Sequence, residues 1–249
     1  TDEQIIEYKK EKVKLQVIEE ENKKLKGLPA ITEDGVKVIL NANIGGITDL
    51  LSLNNSMADG VGLLRTEFLY MESKFFPTEQ EQIELYERAY KKVERLQGEK
   101  GLIIRTLDIG ADKQLPYYEM PFEENPFLGF RGIRFTLAHE NIFRTQLRAI
   151  LRVAKGRSIK VMFPMISNLQ EIIQIKKILA SVKKELDSEG LEYAGYIETG
   201  VMVEVPSTAF LIDKFSEYVD FFSLGTNDLT QYVMAADRLS ADVAYLNDS

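Results

Sequence analysis

The sequence contains no cysteine and one histidine. Without cysteine there is no disulfide framework and no thiol chemistry. His139, in "TLAHENIF", cannot supply both a base and a metal ligand, and it reads as a surface or helix-cap residue. No run of about 18 apolar residues occurs. No signal-peptide core is visible either, so the chain reads as cytosolic, with no membrane insertion. The net charge of −8 argues against a general nucleic-acid binder. It leaves room for a local basic pocket, because steering depends on the local field rather than on the sum. No Gly-x-Gly-x-x-Gly turn follows an early strand and no P-loop is present, so a nucleotide site would need another domain.

What is present is an ordinary globular composition over 249 residues, 45% apolar and 28% charged. Residues 1–27 are rich in Glu and Lys, with Ile5, Ile6, Val13, Val17 and Ile18 as a partial apolar stripe and Gly27 as a stop. They read as one amphipathic linker helix of a longer protein, ahead of a second unit at 28–249. In that unit, strand-like runs occupy 36–44, 60–70, 101–112, 158–166, 196–207 and 219–228, with a weaker seventh at 130–137. Helical patterns lie between them. Thr78 with Glu81, and Asn168 with Glu171, form capping signals, and Gly190 closes the third helix.

Strands alternating with helices, apolar on both sides, mean a covered parallel sheet. An open doubly wound sheet and a (β/α)8 barrel both fit. A barrel of about 250 residues needs eight strands, and the sequence stops at Ser249 with no room for the last strand and helix.

Charged residues recur where strands end: Arg65 and Glu67, Arg105 and Asp108, Glu204, then Asn227 and Asp228, with Arg238 ten residues on. Each has a plain explanation. Arg65 could pair with Glu67, Arg105 with Asp108, and Asn227-Asp228 could cap a turn. Arg131 and Arg134 could be a solvated face. Glu204, between valines, has no local partner. Together they are more specific, because charges are seldom buried unless paired or liganded. Arginine forks suit phosphate and carboxylate oxygens. Glu204 and Asp228 are hard oxygen ligands of the kind Mg2+ takes. Such a set stabilises a transferring phosphoryl group, so a small, multiply anionic phosphate compound is the expected substrate.

The stretches "GVGLLRTEFLYM", "RTLDIGADKQLPY", "NPFLGFRGIR", "MVEVP" and "SLGTNDLTQYVMAADR" closely resemble the phosphoenolpyruvate-binding C-terminal domain of enzyme I of the bacterial sugar phosphotransferase system, in order from about residue 30 onward. Pyruvate phosphate dikinase and phosphoenolpyruvate synthase share that barrel, but "RTLDIGADK" is more similar to enzyme I. The resemblance implies a (β/α)8 TIM barrel, here lacking its last strand and helix. It implies that Arg65, Arg105 and Arg238 hold the phosphoryl group, with Asn227 alongside and Lys113 and Arg131 completing the anion pocket. Glu204 and Asp228 would hold Mg2+. It further implies a homodimer, and phosphoryl transfer to a histidine on a separate N-terminal domain and onward to the histidine-containing phosphocarrier protein. His139 does not match that acceptor, and the family's proton-donating cysteine would lie beyond Ser249, so the chain alone is expected not to turn over. A non-catalytic dimerising or regulatory module is the competing expectation.

Overall fold

The computed structural model describes residues 2–25, 28–96, 101–110, 113 and 115–247. Its strands are β1 (Asn41–Ile44), β2 (Gly60–Leu64), β3 (Leu102–Arg105), β4 (Ile159–Phe163), β5 (Thr199–Val203) and β6 (Phe221–Leu224). Every neighbouring pair is parallel, and the strands lie side by side in chain order. The helices are α1 (Asp2–Leu25), α2 (Ile47–Ser52), α3 (Glu67–Glu72), α4 (Glu79–Val93), α5 (Ile133–Ala138), α6 (Glu140–Val153), α7 (Leu169–Ser188), α8 (Pro206–Phe210), α9 (Ile212–Phe215) and α10 (Thr226–Met234).

Chain-order winding decides between the two architectures left open by the sequence. A doubly wound sheet reverses its strand order at a switch point; this sheet has no reversal. It is also curled. Leu63 of β2, Met162 of β4 and Met202 of β5 form one buried cluster, with Ile103 of β3 and Phe221 of β6 against it. Side chains from strands two and three places apart meet only if the sheet bends around them. The fold is therefore a six-stranded, barrel-like parallel sheet. On its outer side the main core joins the sheet to α4, α6 and α7 through Tyr86, Phe143, Ile150, Ile175 and Val182.

Both expected capping boxes form. Thr78 accepts from the Glu81 amide and Asn168 from the Glu171 amide, while each glutamate reaches back to its cap amide. Gly190 adopts φ +67 just past α7, as a helix stop requires.

Three expectations are corrected. The seventh strand at 130–137 is a helix, α5, entered through Gly132 at φ +57. A short apolar run has no period of its own, and β3 already pairs with β4, so the sheet offers it no place. The helix at the N-terminus is real but not a single apolar stripe. Ile6, Val13 and Val17 share one face while Tyr8 and Leu15 lie opposite, and all are exposed. The other strands are shorter than read; the 60–70 run becomes helix α3 after Thr66. No helix among the described residues is long and apolar enough to cross a membrane.

Candidate functional site

A parallel sheet aims all its strand ends to one side. Arg65 follows β2, Arg105 ends β3, Glu204 follows β5, and Asn227 and Asp228 lie in the first turn of α10. These five, with Lys113, Arg131 and Arg238, line one cleft of about 460 Å3. The structure thus brings together all eight residues singled out from the sequence. Arg134 is not among them; its guanidinium donates to the carbonyls of Leu128 and Gly129, each at 2.9 Å. His139 sits at the α5–α6 junction, stacked on Phe135 at 4.3 Å, with its Nε2 2.9 Å from the Tyr118 hydroxyl.

Two glycines place Arg131. Gly110 has φ +112, and a Cβ there would lie 2.5 Å from Arg131 Cβ. Gly132 has φ +57, and a Cβ there would lie 2.9 Å from Met165. Its amide donates to the Ile109 carbonyl at 3.0 Å. Backbone therefore touches backbone, and Arg131 is laid directly over Asp108.

Asp108 is the hub of a buried ionic web. Its carboxylate receives Arg105 at 3.1 Å, Arg131 at 3.1 Å and Lys113 at 3.7 Å. Glu67 pairs with Arg105 and, at 3.4 Å, with Lys113. Asp228 takes Arg131 at 3.4 Å and Arg238 at 3.5 Å. Both of these arginines also lie over the Phe127 ring, within cation–π distance. Burial works to raise the Asp108 carboxyl, but Arg105, Arg131 and Lys113 outweigh it and hold it well below the usual carboxylate range. Burial likewise works to lower the Arg105 guanidinium, and Glu67, Asp108 and Glu204 outweigh it, so it stays charged.

Glu204 is different. It is 1% exposed, and its Oε1 accepts the Met165 amide at 2.6 Å. Met165 holds φ 57 to present that amide, a costly conformation for a residue with a Cβ. Burial and the nearby Asp108 push the Glu204 carboxyl up to about 8, against the pull of Arg105. Among the described residues no arginine forms an ion pair with Glu204, so its buried oxygens are left with the Met165 amide alone. Glu204 and Asp228 fit Mg2+, which takes one or two carboxylates and leaves its other positions to water and substrate oxygens.

The sequence reading missed three parts of this cleft. Asn41 and Asn43 of β1 and Met202 of β5 also line it. The pattern "NAN", polar at alternate strand positions, was the available signal. The local pairing expected between Arg105 and Asp108 forms, but the one expected between Arg65 and Glu67 does not: Glu67 turns to Arg105 and Lys113, leaving Arg65 exposed at the rim. A larger adjoining cleft of about 890 Å3, between Gly110 and Pro126, holds Lys113 as its one cation among the described residues and is lined by tyrosines, prolines and Met120.

Converging arginines beside a carboxylate pair, at the strand ends of a barrel-like parallel sheet, make a site suited to an anionic ligand. The comparisons with known proteins agree. The family model described as PEP-utilising enzyme, PEP-binding domain, matches residues 19–249, and the chain belongs to that family. It is 50% identical over 246 residues to a phosphoenolpyruvate-protein phosphotransferase of Listeria innocua, covering 99% of this chain and 42% of the relative. The enzymes of the same name from Mycoplasma capricolum and Staphylococcus carnosus are 47% and 48% identical, over 92% and 99% of this chain and 39% and 42% of their own lengths. The chain thus spans about two fifths of the curated relatives it matches.

Proposed function

We propose that this chain is the phosphoenolpyruvate- and Mg2+-binding domain of a phosphoenolpyruvate-protein phosphotransferase. The observation that carries the reading is the single cleft in which Arg65, Arg105, Arg131, Arg238 and Lys113 face Glu204 and Asp228. Arg105, fixed by Glu67 and Asp108, grips the phosphoryl oxygens, and Arg65 and Arg238 close on them from the rim. Lys113 and Arg131 meet the remaining anionic oxygens, and Asn227 donates beside them. Glu204 and Asp228 hold Mg2+, which when bound neutralises charge building up on the phosphoryl oxygens. Preorganised donors of this kind cost no rearrangement when charge develops.

In the whole protein the acceptor is a histidine on a separate N-terminal domain, and the phosphoryl group passes onward to the histidine-containing phosphocarrier protein. The domain closes into the full eight-stranded barrel, α1 serves as the linker helix (1–27) ahead of the barrel domain (28–249), and the protein works as a cytoplasmic homodimer. The relatives' shared name favours this over a dikinase or a purely regulatory module.

The test is calorimetric titration of phosphoenolpyruvate with Mg2+ and then with EDTA. Saturable binding that disappears with EDTA is expected. Folded protein that binds neither way would sink the reading. In the full-length protein, Arg105→Ala is expected to lower kcat/KM about 100-fold or more; a change of only a few-fold would remove Arg105 from its role.

A further inference from the structure

Beneath the cleft runs a buried chain of hydrogen bonds that joins the ends of β2 and β3 to each other and to the outer helices α6 and α4. Gln146 of α6 lies at its centre, fully buried. Its Oε1 accepts the Leu107 amide at 2.9 Å, and its Nε2 donates to Thr66 Oγ1 at 3.1 Å and faces the Tyr86 hydroxyl at 3.2 Å. Thr66 Oγ1 in turn donates to the Arg105 carbonyl at 3.0 Å. Tyr86 donates to Gln82 at 3.1 Å, and Gln82 donates to the Pro77 carbonyl at 3.1 Å.

Sequence position makes this chain matter. Thr66 separates Arg65 from Glu67, and Leu107 lies between Arg105 and Asp108, next to Asp108 and two positions from Arg105. One amide side chain therefore grips, from below, both segments whose charged side chains point up into the cleft. We infer that Gln146 is a positioning residue, setting the spacing of the Arg65–Glu67 and Arg105–Asp108 segments, with Thr66 as its bridge. The inference rests on the functional reading given above.

No apolar side chain can do this work. An amide offers an acceptor and a donor from one rigid plane, and here the two are used on different strand ends. A leucine of similar volume fills the space but leaves the Leu107 amide and Thr66 hydroxyl without their partner. The clamp would still attract an anion through its net charge, yet would no longer fit the transferring group, so kcat should fall more than KM rises.

The experiment uses the full-length protein and phosphoenolpyruvate with Mg2+. Gln146→Leu and, as a milder variant at the other end of the bridge, Thr66→Val are compared with Leu186→Ala, a core truncation in α7. Leu186→Ala should lower Tm and leave kcat unchanged. Gln146→Leu should lower kcat about 10- to 100-fold, Thr66→Val should lower it in the same sense, and the double variant should be no worse than Gln146→Leu alone, because both cut one chain. In the ligand-free protein, hydrogen exchange at the Leu107 amide should rise in both variants. If both kept kcat within about 3-fold of wild type, or if Leu186→Ala lost as much kcat as they do for the same fall in Tm, this inference would fail alone. A wild type that neither binds nor turns over phosphoenolpyruvate would overturn the functional reading, and this inference with it.

Discussion

Two charge networks hold this molecule, and they differ in what surrounds them. On the outer helices, Arg144, Arg148 and Arg152 of α6 meet Glu79 of α4, Glu185 of α7 and Glu189 just past its end, with Arg148 and Arg152 each 2.6 Å from Glu79. These charges keep much of their hydration. At the cleft, Arg105, Arg131 and Asp108 are each no more than 5% exposed, and the Nε atoms of both arginines and one oxygen of Glu67 have no partner among the described residues. Burying charge is costly, and leaving part of it unpaired costs more. The helical network is arranged for stability. The cleft is arranged at the expense of stability, which is what a site held ready for a charged ligand requires.

The sharpest way to break that contrast is at the hub. Asp108→Ala removes a counter-charge shared by three cations and should destabilise the fold by about 3 kcal/mol, measured by urea unfolding. A loss no larger than that of a helix-surface variant would mean that the cleft is as well hydrated as the periphery.

Glu204 gives the next effect, and it depends on pH. Its carboxyl is raised from 4.5 to about 8, so the folded state holds this proton more tightly than the unfolded chain. Its contribution is complete below pH 4.5 and is lost as pH rises through about 8. Asp108 behaves oppositely: its lowered carboxyl gives stability above the ordinary carboxylate range that is lost only in strong acid. In EDTA, Tm should therefore fall between pH 5 and pH 8 in the wild type and fall less in Glu204→Gln. Equal slopes in the two proteins would rule out the buried acid. Added Mg2+ should raise Tm at pH 8 in the wild type and not in the variant.

A smaller effect is expected at Gly132. Alanine at φ +57 would meet Met165 at 2.9 Å, costing about 1–2 kcal/mol and weakening phosphoenolpyruvate binding by shifting Arg131. The smallest belongs to the outer network. Arg144→Ala should cost under about 1 kcal/mol and leave ligand affinity unchanged; a larger cost would make the two networks alike.

The sequence made visible whatever depends on neighbours along the chain. Thr78–Glu81 and Asn168–Glu171 announce their helices because a capping box is a four-residue event. Glu204 stood out because the valines around it offer no partner. What stayed hidden depends on residues far apart. Glu67 lies two residues from Arg65 but bonds Arg105, 38 positions away. Asp108 lies near Arg105 in sequence, yet its other arginine comes from 23 residues on, delivered by close backbone approach at Gly110 and Gly132. Gln146 looked like any residue of an amphipathic helix. The run at 130–137 misled because its apolar residues suit a strand or a helix equally, and only the direct pairing of β3 with β4, which leaves no place between them, decides.

Winding the strands in chain order also shapes how the molecule opens. Each strand's sheet partners are its own neighbours in sequence, so loops are closed one unit at a time and local unfolding can proceed inward from either end. β1 and β6, the outermost strands described, are partly exposed, while β4 and β5 are almost wholly buried. Amide exchange should accordingly be slowest in β4 and β5. The cleft draws on β2, β3, β5 and α10 alike, so it exists only while nearly every unit is in register. A ligand that bridges those units would link their openings into one cooperative event, and the protein would exchange its amides as a single body only when the cleft is filled.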